Sequence, residues 1–169
     1  MSYSKIKSFA KINLALNITG KSHSMHKIES IVSFLDLHDQ ILIKQIKNKN
    51  HKIIFRGLFK KNVKKRNTIS RLLEILEKKK FLQNSKFEII VKKDIPSKAG
   101  LGGGSMNAAS VLKFLMKKGF VNISKKEIIK VANLIGSDVI LGMYSKNLIF
   151  KSDQKIKEFS IKNSFFALI

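Results

Sequence analysis

Four of the chain's nine glycines fall within the five positions from Gly100 to Gly104. Each glycine in an ordered backbone costs roughly 0.5–1 kcal/mol relative to alanine, so several together imply positive φ angles or very close backbone approach. A bound phosphate commonly requires such an approach, because glycines let backbone N–H groups close around an anion. The cluster therefore predicts a phosphate-binding loop, and an ordinary glycine-rich turn is the alternative.

The residues on either side of the glycines predict a strand before the loop and a helix after it. Phe87 to Val91 is a β-branched and aromatic run, which Pro96 and Ser97 end. After the glycines, apolar residues recur at helical spacing from Ala108 to Leu115, with Ser105 as the predicted N-cap. The loop would open onto a helix N-terminus, whose unpaired N–H groups and positive dipole end attract anions.

Two familiar phosphate-binding patterns do not describe this loop. No Gly-Lys-Ser/Thr triplet follows the glycines, and GxGxxG would need a glycine at Ser105. A relaxed Walker pattern does occur from Ala15 to Ser22. Residues from Ala10 to Thr19, however, alternate apolar and polar as in an amphipathic strand, and no apolar helix follows. This second match therefore predicts a strand rather than a phosphate loop.

The same alternation places Lys11 and Asn13 on the polar face of that strand, where they are available to a pocket. A solvated strand face is the default interpretation for a lysine in a lysine-rich chain. Asp138 follows a helix marked by the capping box Ser124 to Glu127 and ended by Gly136, so it would project from a rigid element. Taken alone, a capping or surface role is the simpler interpretation of Asp138.

The stretch from Pro96 to Ala109, in which Ser-x-Asn-Ala-Ala follows the glycines, resembles the central motif of the GHMP kinases, the family of galactokinase, homoserine kinase and mevalonate kinase. Other segments resemble the branch that phosphorylates 4-diphosphocytidyl-2-C-methyl-D-erythritol (CDP-methylerythritol) in the non-mevalonate isoprenoid pathway. The resemblance runs in register from about Lys5 to the last residue. The segments that resemble this kinase branch are Lys11 to Leu14, Met25 to Ser30, Asn67 to Arg71 and Gly136 to Val139.

The resemblance implies an ATP-dependent kinase that phosphorylates the 2-hydroxyl of CDP-methylerythritol. Lys11 and Asp138 would be catalytic, since the aspartate would take the proton of the acceptor hydroxyl and the lysine would counter growing negative charge. Asn13 and His26 would bind the substrate, with His26 against its cytidine. The ATP-binding residues would be Pro96, Ser97, Lys98, Ala99, Gly100, Leu101, Gly102, Gly103, Gly104, Ser105 and Met106.

Magnesium would arrive with ATP, because the sequence offers no metal-ligand cluster and contains no cysteine for a thiolate site. Three features depart from the branch pattern. Ser24 and Met25 replace a glycine and a tyrosine beside the nucleobase, and Ile140 replaces a proline. The family also carries a third glycine motif and a C-terminal domain beyond the point where this sequence stops.

The apolar run from Ser164 to Ile169 has strand character and no polar tail. We therefore expect the N-terminal part of a longer kinase, either a gene fragment or a truncated product, whose turnover and oligomeric state the sequence leaves open. Residues 1–160 would form a GHMP kinase N-terminal ATP-binding domain, and residues 161–169 would begin a truncated C-terminal domain. No segment is long or apolar enough for a membrane span or a signal peptide, which predicts a cytoplasmic protein.

The formal net charge of +23 is also typical of a different class of protein, an RNA- or ribosome-associated basic module. The charge is diffuse, because only three of the 34 basic residues are arginine and no basic stripe is interleaved with aromatics. The densest run, Lys60 to Arg66, is typical of a solvated loop. We therefore expect a small-molecule partner rather than nucleic acid, with another GHMP small-molecule kinase as the nearer alternative.

The order of elements predicts an α+β fold with several early strands and later helices. This pattern fits the GHMP kinase N-terminal domain, a fold also found in a ribosomal protein, with the ferredoxin-like C-terminal domain largely missing. The predicted strands are Lys5–Asn17, Ile28–Leu37, Gln40–Gln45, His51–Phe55 and Lys86–Lys93, and the predicted helices are Thr68–Lys80, Ser105–Lys118 and Ser124–Leu134.

Overall fold

A computed structural model describes residues 2–22, 25–144, 146–151 and 155–160. The chain divides into two compact units, of which the first contains Met1–Lys11 and Leu35–Met143. The second unit contains Ile12–Phe34 and Tyr144–Ile169. The predicted start of a second domain, residues 161–169, lies outside the described residues, so that domain boundary stays a prediction.

Strands and helices are both present, which confirms the α+β class. None of the helices in the described ranges is both long enough and apolar enough to cross a membrane. Short 3₁₀ helices lie at Lys60–Asn62, Ser137–Val139 and Leu141–Met143. The strands are β1 (Ser4–Ser22), β2 (Met25–Ile46), β3 (Lys52–Arg56), β4 (Lys86–Lys92), β5 (Asn147–Lys151) and β6 (Ile156–Phe159), and the helices are α1 (Thr68–Lys78), α2 (Gly103–Lys117) and α3 (Lys125–Ile135).

In the first unit, β4 lies between two partners. It pairs antiparallel with the second half of β2, where Ile41 lies opposite Val91, and parallel with β3, where Ile53 lies opposite Ile89. Parallel neighbours need a crossover connection, and α1 provides it between β3 and β4. Strand β1 pairs with β2.

Helices cover one face of this sheet, because alternate strand residues point to the same side. Ile41, Ile43, Ile89 and Val91 share that side and are at most 1% exposed. Burying each such side chain contributes on the order of 1.5–3 kcal/mol, so this core fixes the helices against the sheet. The helices contribute Leu72, Leu73, Leu76, Val111, Leu112, Leu115, Val131 and Ala132 to the same core.

The two strands predicted at Ile28–Leu37 and Gln40–Gln45 are one continuous strand, β2. The break predicted between them, at His38 and Asp39, is absent, and Asp39 is fully buried. Its carboxylate accepts hydrogen bonds from the backbone N–H groups of Asp94 and Ile95, just after β4, so the polar side chain is satisfied while the backbone stays extended.

Helix α2 begins earlier than predicted, and Ser105 is not its N-cap. The N-cap is Gly102, whose φ of 65° lies in the left-handed region that favours glycine, so the helix starts at Gly103. The capping box predicted for α3 is confirmed. Ser124 Oγ accepts from Glu127 N, and the Glu127 carboxylate accepts from Ser124 N.

In the second unit, β5 pairs antiparallel with the first half of β2 and with β6. The sequence prediction missed both short strands, because their pairing depends on a partner far away in the chain. Asn147 at the start of β5 accepts hydrogen bonds from Ser33 Oγ at 2.9 Å and from Phe34 N at 3.4 Å. These bonds help fix the register of β5 against β2.

Glu88, on the other face of β4, gives a prediction for acid stability. It is 8% exposed, and its carboxylate pairs with Lys44 Nζ at 2.8 Å and Lys52 Nζ at 3.0 Å. Hydrogen bonds from Lys44, then from Lys52 and Tyr3, lower the pKa of Glu88 to about 2. A lowered carboxylate pKa stabilises the fold above the unfolded-state pKa of 4.5, and the contribution is lost as pH falls towards about 2.

We therefore expect Glu88→Gln to lower the melting temperature most near neutral pH, with a difference from the wild type that shrinks between about pH 5 and about pH 2. Thermal unfolding followed by circular dichroism across this range measures it. A difference independent of pH would show that Glu88 stabilises the fold by packing rather than by charge.

Candidate functional site

The loop from Pro96 to Gly102 joins the end of β4 to the start of α2. Its residues Lys98, Gly100 and Gly102 have positive φ angles of 64°, 74° and 65°. A Cβ at Gly102 would lie 2.9 Å from Cγ and 3.0 Å from Cε of Lys11. The backbone angle and the close passage of the lysine side chain therefore both require a glycine at position 102.

The loop leads directly into the N-terminus of α2. Within the described residues, no side chain accepts a capping hydrogen bond from the first N–H groups of this helix. Helix α1 differs, because Asn67 accepts hydrogen bonds from the N–H groups of Ile69 and Ser70. The first N–H groups of a helix have no partner within the helix. Those at the start of α2 can therefore bind an anion, and the dipole of this 15-residue helix adds to the attraction.

A cleft of about 430 Å³ opens along the loop and this helix start. Its volume lies in the range of small-ligand pockets. Every predicted loop residue from Pro96 to Ser105 lines the cleft, but Met106 does not, and its side chain is 1% exposed. The sequence prediction missed the other lining residues, which are Phe55, Val63, Lys64, Arg66, Asn67, Thr68, Ile69, Lys93 and Asn107.

One wall of the cleft comes from a segment whose basic residues were predicted to be simply solvated. Lys64 and Arg66 bring positive charge to this wall. Thr68 Oγ1 donates a hydrogen bond to the carbonyl oxygen of Gly104 at 2.5 Å, which holds the start of α1 against the start of α2. A helix was predicted from Thr68, but nothing in the sequence indicated that its start lies beside the start of α2.

Lys11 and Asp138 form an ion pair, with 3.2 Å between Nζ and Oδ2. Lys11 is 6% exposed, and its backbone N–H donates to the carbonyl oxygen of Leu101 at 3.0 Å. Asp138 lies in the 3₁₀ helix Ser137–Val139, which Val139 anchors in the core. Its side chain is 35% exposed, so a reactant can approach a carboxylate that is fixed beside the glycine loop.

Asn13 and His26, the residues predicted to bind substrate, belong to the second unit. Asn13 Nδ2 donates to Ser30 Oγ at 2.7 Å, and Ser30 Oγ donates to the carbonyl oxygen of Ala15 at 2.7 Å. These two bonds orient the Asn13 amide. The side chain of His26 lies outside the part of the chain that the structure describes, so its role stays a prediction.

Comparison with known proteins gives a family match and close relatives. Residues 67–146 match the family model of the GHMP kinases N terminal domain. The 4-diphosphocytidyl-2-C-methyl-D-erythritol kinase of Pelagibacter ubique is 56% identical over 165 residues, and that of Finegoldia magna is 32% identical over 165 residues. These alignments cover 98% and 97% of this chain but 59% and 56% of the relatives, so the chain spans less than two thirds of their length.

Solved structures of two enzymes share the fold. A crystal structure of 4-(cytidine 5'-diphospho)-2C-methyl-D-erythritol kinase matches 92% of this chain and 55% of its own, with a TM-score of 0.71 and 21% identity. Lactococcus lactis galactokinase matches 95% of this chain and 47% of its own, with a TM-score of 0.67 and 14% identity. At these identities the likeness concerns the fold alone. The family model and the curated relatives therefore agree that this chain is similar to a GHMP kinase N-terminal domain.

Proposed function

We propose that this chain provides the nucleotide-binding and catalytic part of a kinase that transfers the γ-phosphoryl group of ATP to the 2-hydroxyl of CDP-methylerythritol. The observation that carries the proposal is the uncapped start of α2 lying next to the Lys11–Asp138 pair, with Gly102 in contact with Lys11. The names of the curated relatives support the choice of acceptor. Because the chain spans only part of those relatives, the activity of the whole enzyme is part of the proposal.

The phosphates of ATP would lie against the first N–H groups of α2, where helix dipole and unpaired donors act together. Lys64, Arg66 and Lys98 line the same cleft and add positive charge. The remaining volume, walled by Phe55 and the start of α1, would hold the nucleoside. The lining thus combines backbone N–H groups and cations for a polyphosphate with apolar side chains, such as Phe55 and Val63, for a base.

Phosphoryl transfer asks a protein mainly to position two reactants and to stabilise charge. The acceptor hydroxyl would give its proton to the Asp138 carboxylate as the new oxygen–phosphorus bond forms and the bond to ADP breaks. The Lys11 ammonium lies 3.2 Å from that carboxylate, so it would hold the base in position and offset negative charge developing on the transferred group.

Magnesium would enter as the Mg²⁺–ATP complex, since this ion is commonly held through one or two carboxylates together with substrate phosphates. Among residues 2–22, 25–144, 146–151 and 155–160, no group of three or more His, Cys, Asp or Glu side chains is placed to hold a metal ion. When bound, the ion would neutralise charge on the phosphates.

Asn13 and His26 are assigned to acceptor binding on the strength of the sequence resemblance. With Ser24 and Met25 beside His26 in the sequence, the choice of acceptor needs a direct test. We expect turnover with CDP-methylerythritol to exceed turnover with homoserine or mevalonate by roughly 100-fold or more, because a hydrogen-bonding site strongly rejects acceptors that leave its polar groups unpaired.

Formation of ADP with each acceptor at equal concentration measures this preference. A matched experiment adds homoserine or mevalonate as competitor to the CDP-methylerythritol reaction. Preference for homoserine or mevalonate would keep the kinase chemistry but assign this chain to another small-molecule kinase of the family.

A further inference from the structure

We propose that Asp39 is a positioning residue that holds both ends of the glycine loop in place at once. The inference rests on the proposed function, because it explains how the loop is shaped for a phosphate before one binds. Asp39 lies outside the lining of the cleft and would act entirely through other residues.

Both oxygens of the buried Asp39 carboxylate are engaged. Oδ1 accepts hydrogen bonds from the backbone N–H groups of Asp94 and Ile95, each at 2.9 Å. Oδ2 accepts from Lys93 Nζ in a short ion pair and from Asn107 Nδ2 at 2.8 Å. One carboxylate thus binds four donors from two separate segments of the chain.

Those two segments bound the glycine loop. Lys93 to Ile95 directly precede Pro96, and Asn107 lies near the start of α2, after Gly102 has ended the loop. Asp39 therefore fixes the point where the chain leaves the sheet and the point where the helix begins. Bonds to a charged group are among the stronger hydrogen bonds, and breaking them leaves buried groups without partners.

Lys93 is also held from the side of β3. Its N–H donates to the carbonyl oxygen of Arg56 at 2.8 Å, and its own carbonyl accepts from Phe59 N at 3.3 Å. Gly57, with a φ of 90°, passes so close that a Cβ would lie 2.8 Å from the Lys93 carbonyl oxygen. A Cβ at Gly103 would lie 3.2 Å from Lys93 Nζ, so this ammonium lies directly against the first residue of α2.

Asn107 connects the network to the cleft, which it lines. It is 2% exposed, and while Nδ2 donates to Asp39, Oδ1 has no hydrogen-bond partner among the described residues. An unpaired buried acceptor is rare and destabilising. Keeping an asparagine here is best explained by the bond that it makes to Asp39.

The position of Asp39 on β2 also argues for more than stability. Alternation places Asp39 on the same face as Ile41 and Ile43, which belong to the core. Well-packed apolar residues often stabilise a core as well as a buried ion pair does, whereas ion pairs and polar networks can fix a single arrangement. A carboxylate on this face is therefore suited to fixing the loop rather than to strengthening the core.

Amide hydrogen exchange on the 169-residue chain tests the inference without any ligand. Asp39→Asn keeps an acceptor for the two backbone N–H groups but presents an NH₂ group to Lys93 and Asn107. We expect the amides that close the loop, Lys11 N bonded to Leu101 O and Met106 N bonded to Gly102 O, to exchange about tenfold faster.

Glu88→Gln is the matched control, because it makes the same change to a buried, ion-paired carboxylate in the same unit. Although it lowers the stability of the fold, it should leave the exchange of both loop-closing amides near the wild-type rate, because these amides exchange by local opening of the loop rather than by unfolding of the whole unit. The inference would be overturned if the Lys11 and Met106 amides exchanged at the same rate in Asp39→Asn as in the wild type. It would also be overturned if Asp39→Asn and Glu88→Gln accelerated the exchange of these amides equally.

Asn107→Ala covers the case in which Asp39→Asn does not fold. It keeps the Asp39–Lys93 pair and releases only the helix end of the loop. We expect faster exchange at Met106 with no change at Ile95, and wild-type exchange at Met106 would overturn the inference.

Titration with Mg-ATP separates this inference from the proposed function. Asp39→Asn should weaken binding about tenfold and Glu88→Gln should not, if the loop binds phosphate. A folded wild type that binds no nucleotide would refute the proposed function, while the exchange rates would still decide whether Asp39 positions the loop.

Discussion

Replacing Asp138 with asparagine is expected to lower the rate of phosphoryl transfer about 10³-fold, in the range lost when a general base is removed. Asparagine has nearly the same shape but cannot take the proton of the acceptor hydroxyl. The affinity for Mg-ATP should change by less than about threefold, because Asp138 does not line the nucleotide cleft. Single-turnover transfer of labelled γ-phosphate measures the rate, and calorimetric titration measures the affinity.

Asp36→Asn provides the matched control for this experiment. Asp36 is exposed on β2 in the same unit, and the same change of side chain there should leave the rate unaltered. Only a fewfold loss of rate in Asp138→Asn would contradict its role as the base. A parallel loss of nucleotide affinity would indicate instead that Asp138 shapes the cleft.

Gly104→Asp is expected to weaken Mg-ATP binding by about 100-fold or more without lowering the melting temperature. Gly104 lies in the first turn of α2, and a Cβ there would lie 3.5 Å from Thr68 Oγ1, an ordinary contact. A carboxylate in the first turn interacts favourably with the helix dipole, so folding should not suffer. The same carboxylate would repel phosphates and compete for the N–H groups proposed to bind them.

Gly104→Asn separates charge from bulk, because it has nearly the same shape as Gly104→Asp without the negative charge. We expect Gly104→Asn to bind Mg-ATP much more tightly than Gly104→Asp in calorimetric titrations at equal salt. Equal losses in the two variants would show that the side chain simply fills the cleft, and no loss in either would place the nucleotide elsewhere.

Features encoded within a short stretch of sequence were predictable. Three such features are present in the structure: the strand before the glycine loop, the helix after it, and the capping box at Ser124 and Glu127. Each depends mainly on residues that are close together in the sequence. The start of α2 was misplaced at Ser105 because a serine is a usual N-cap. The structure instead uses Gly102, which adopts a left-handed backbone and, because it has no Cβ, also leaves room for the Lys11 side chain.

Features that depend on distant partners could not be found from local patterns. Asp39 was predicted to lie between two strands, yet it lies within β2 as a buried acceptor for Lys93 and Asn107, which are 54 and 68 positions further along the chain. The alternation of β1 placed Lys11 on a polar face but could not place it beside Asp138, which only the family resemblance suggested. Nothing in the sequence indicated the cleft wall near Thr68 either, because the hydrogen bond from Thr68 to Gly104 joins the starts of two separate helices.

The most direct test of phosphate binding at the start of α2 is the amide chemical shifts of Gly103, Gly104 and Ser105 while the isotope-labelled chain is titrated with Mg-ATP. We predict saturable shifts concentrated at these three amides, with much weaker shifts when adenosine replaces ATP. A folded chain in which they do not respond, or in which ATP shifts a different group of amides, would contradict the assignment of this loop as the phosphate site.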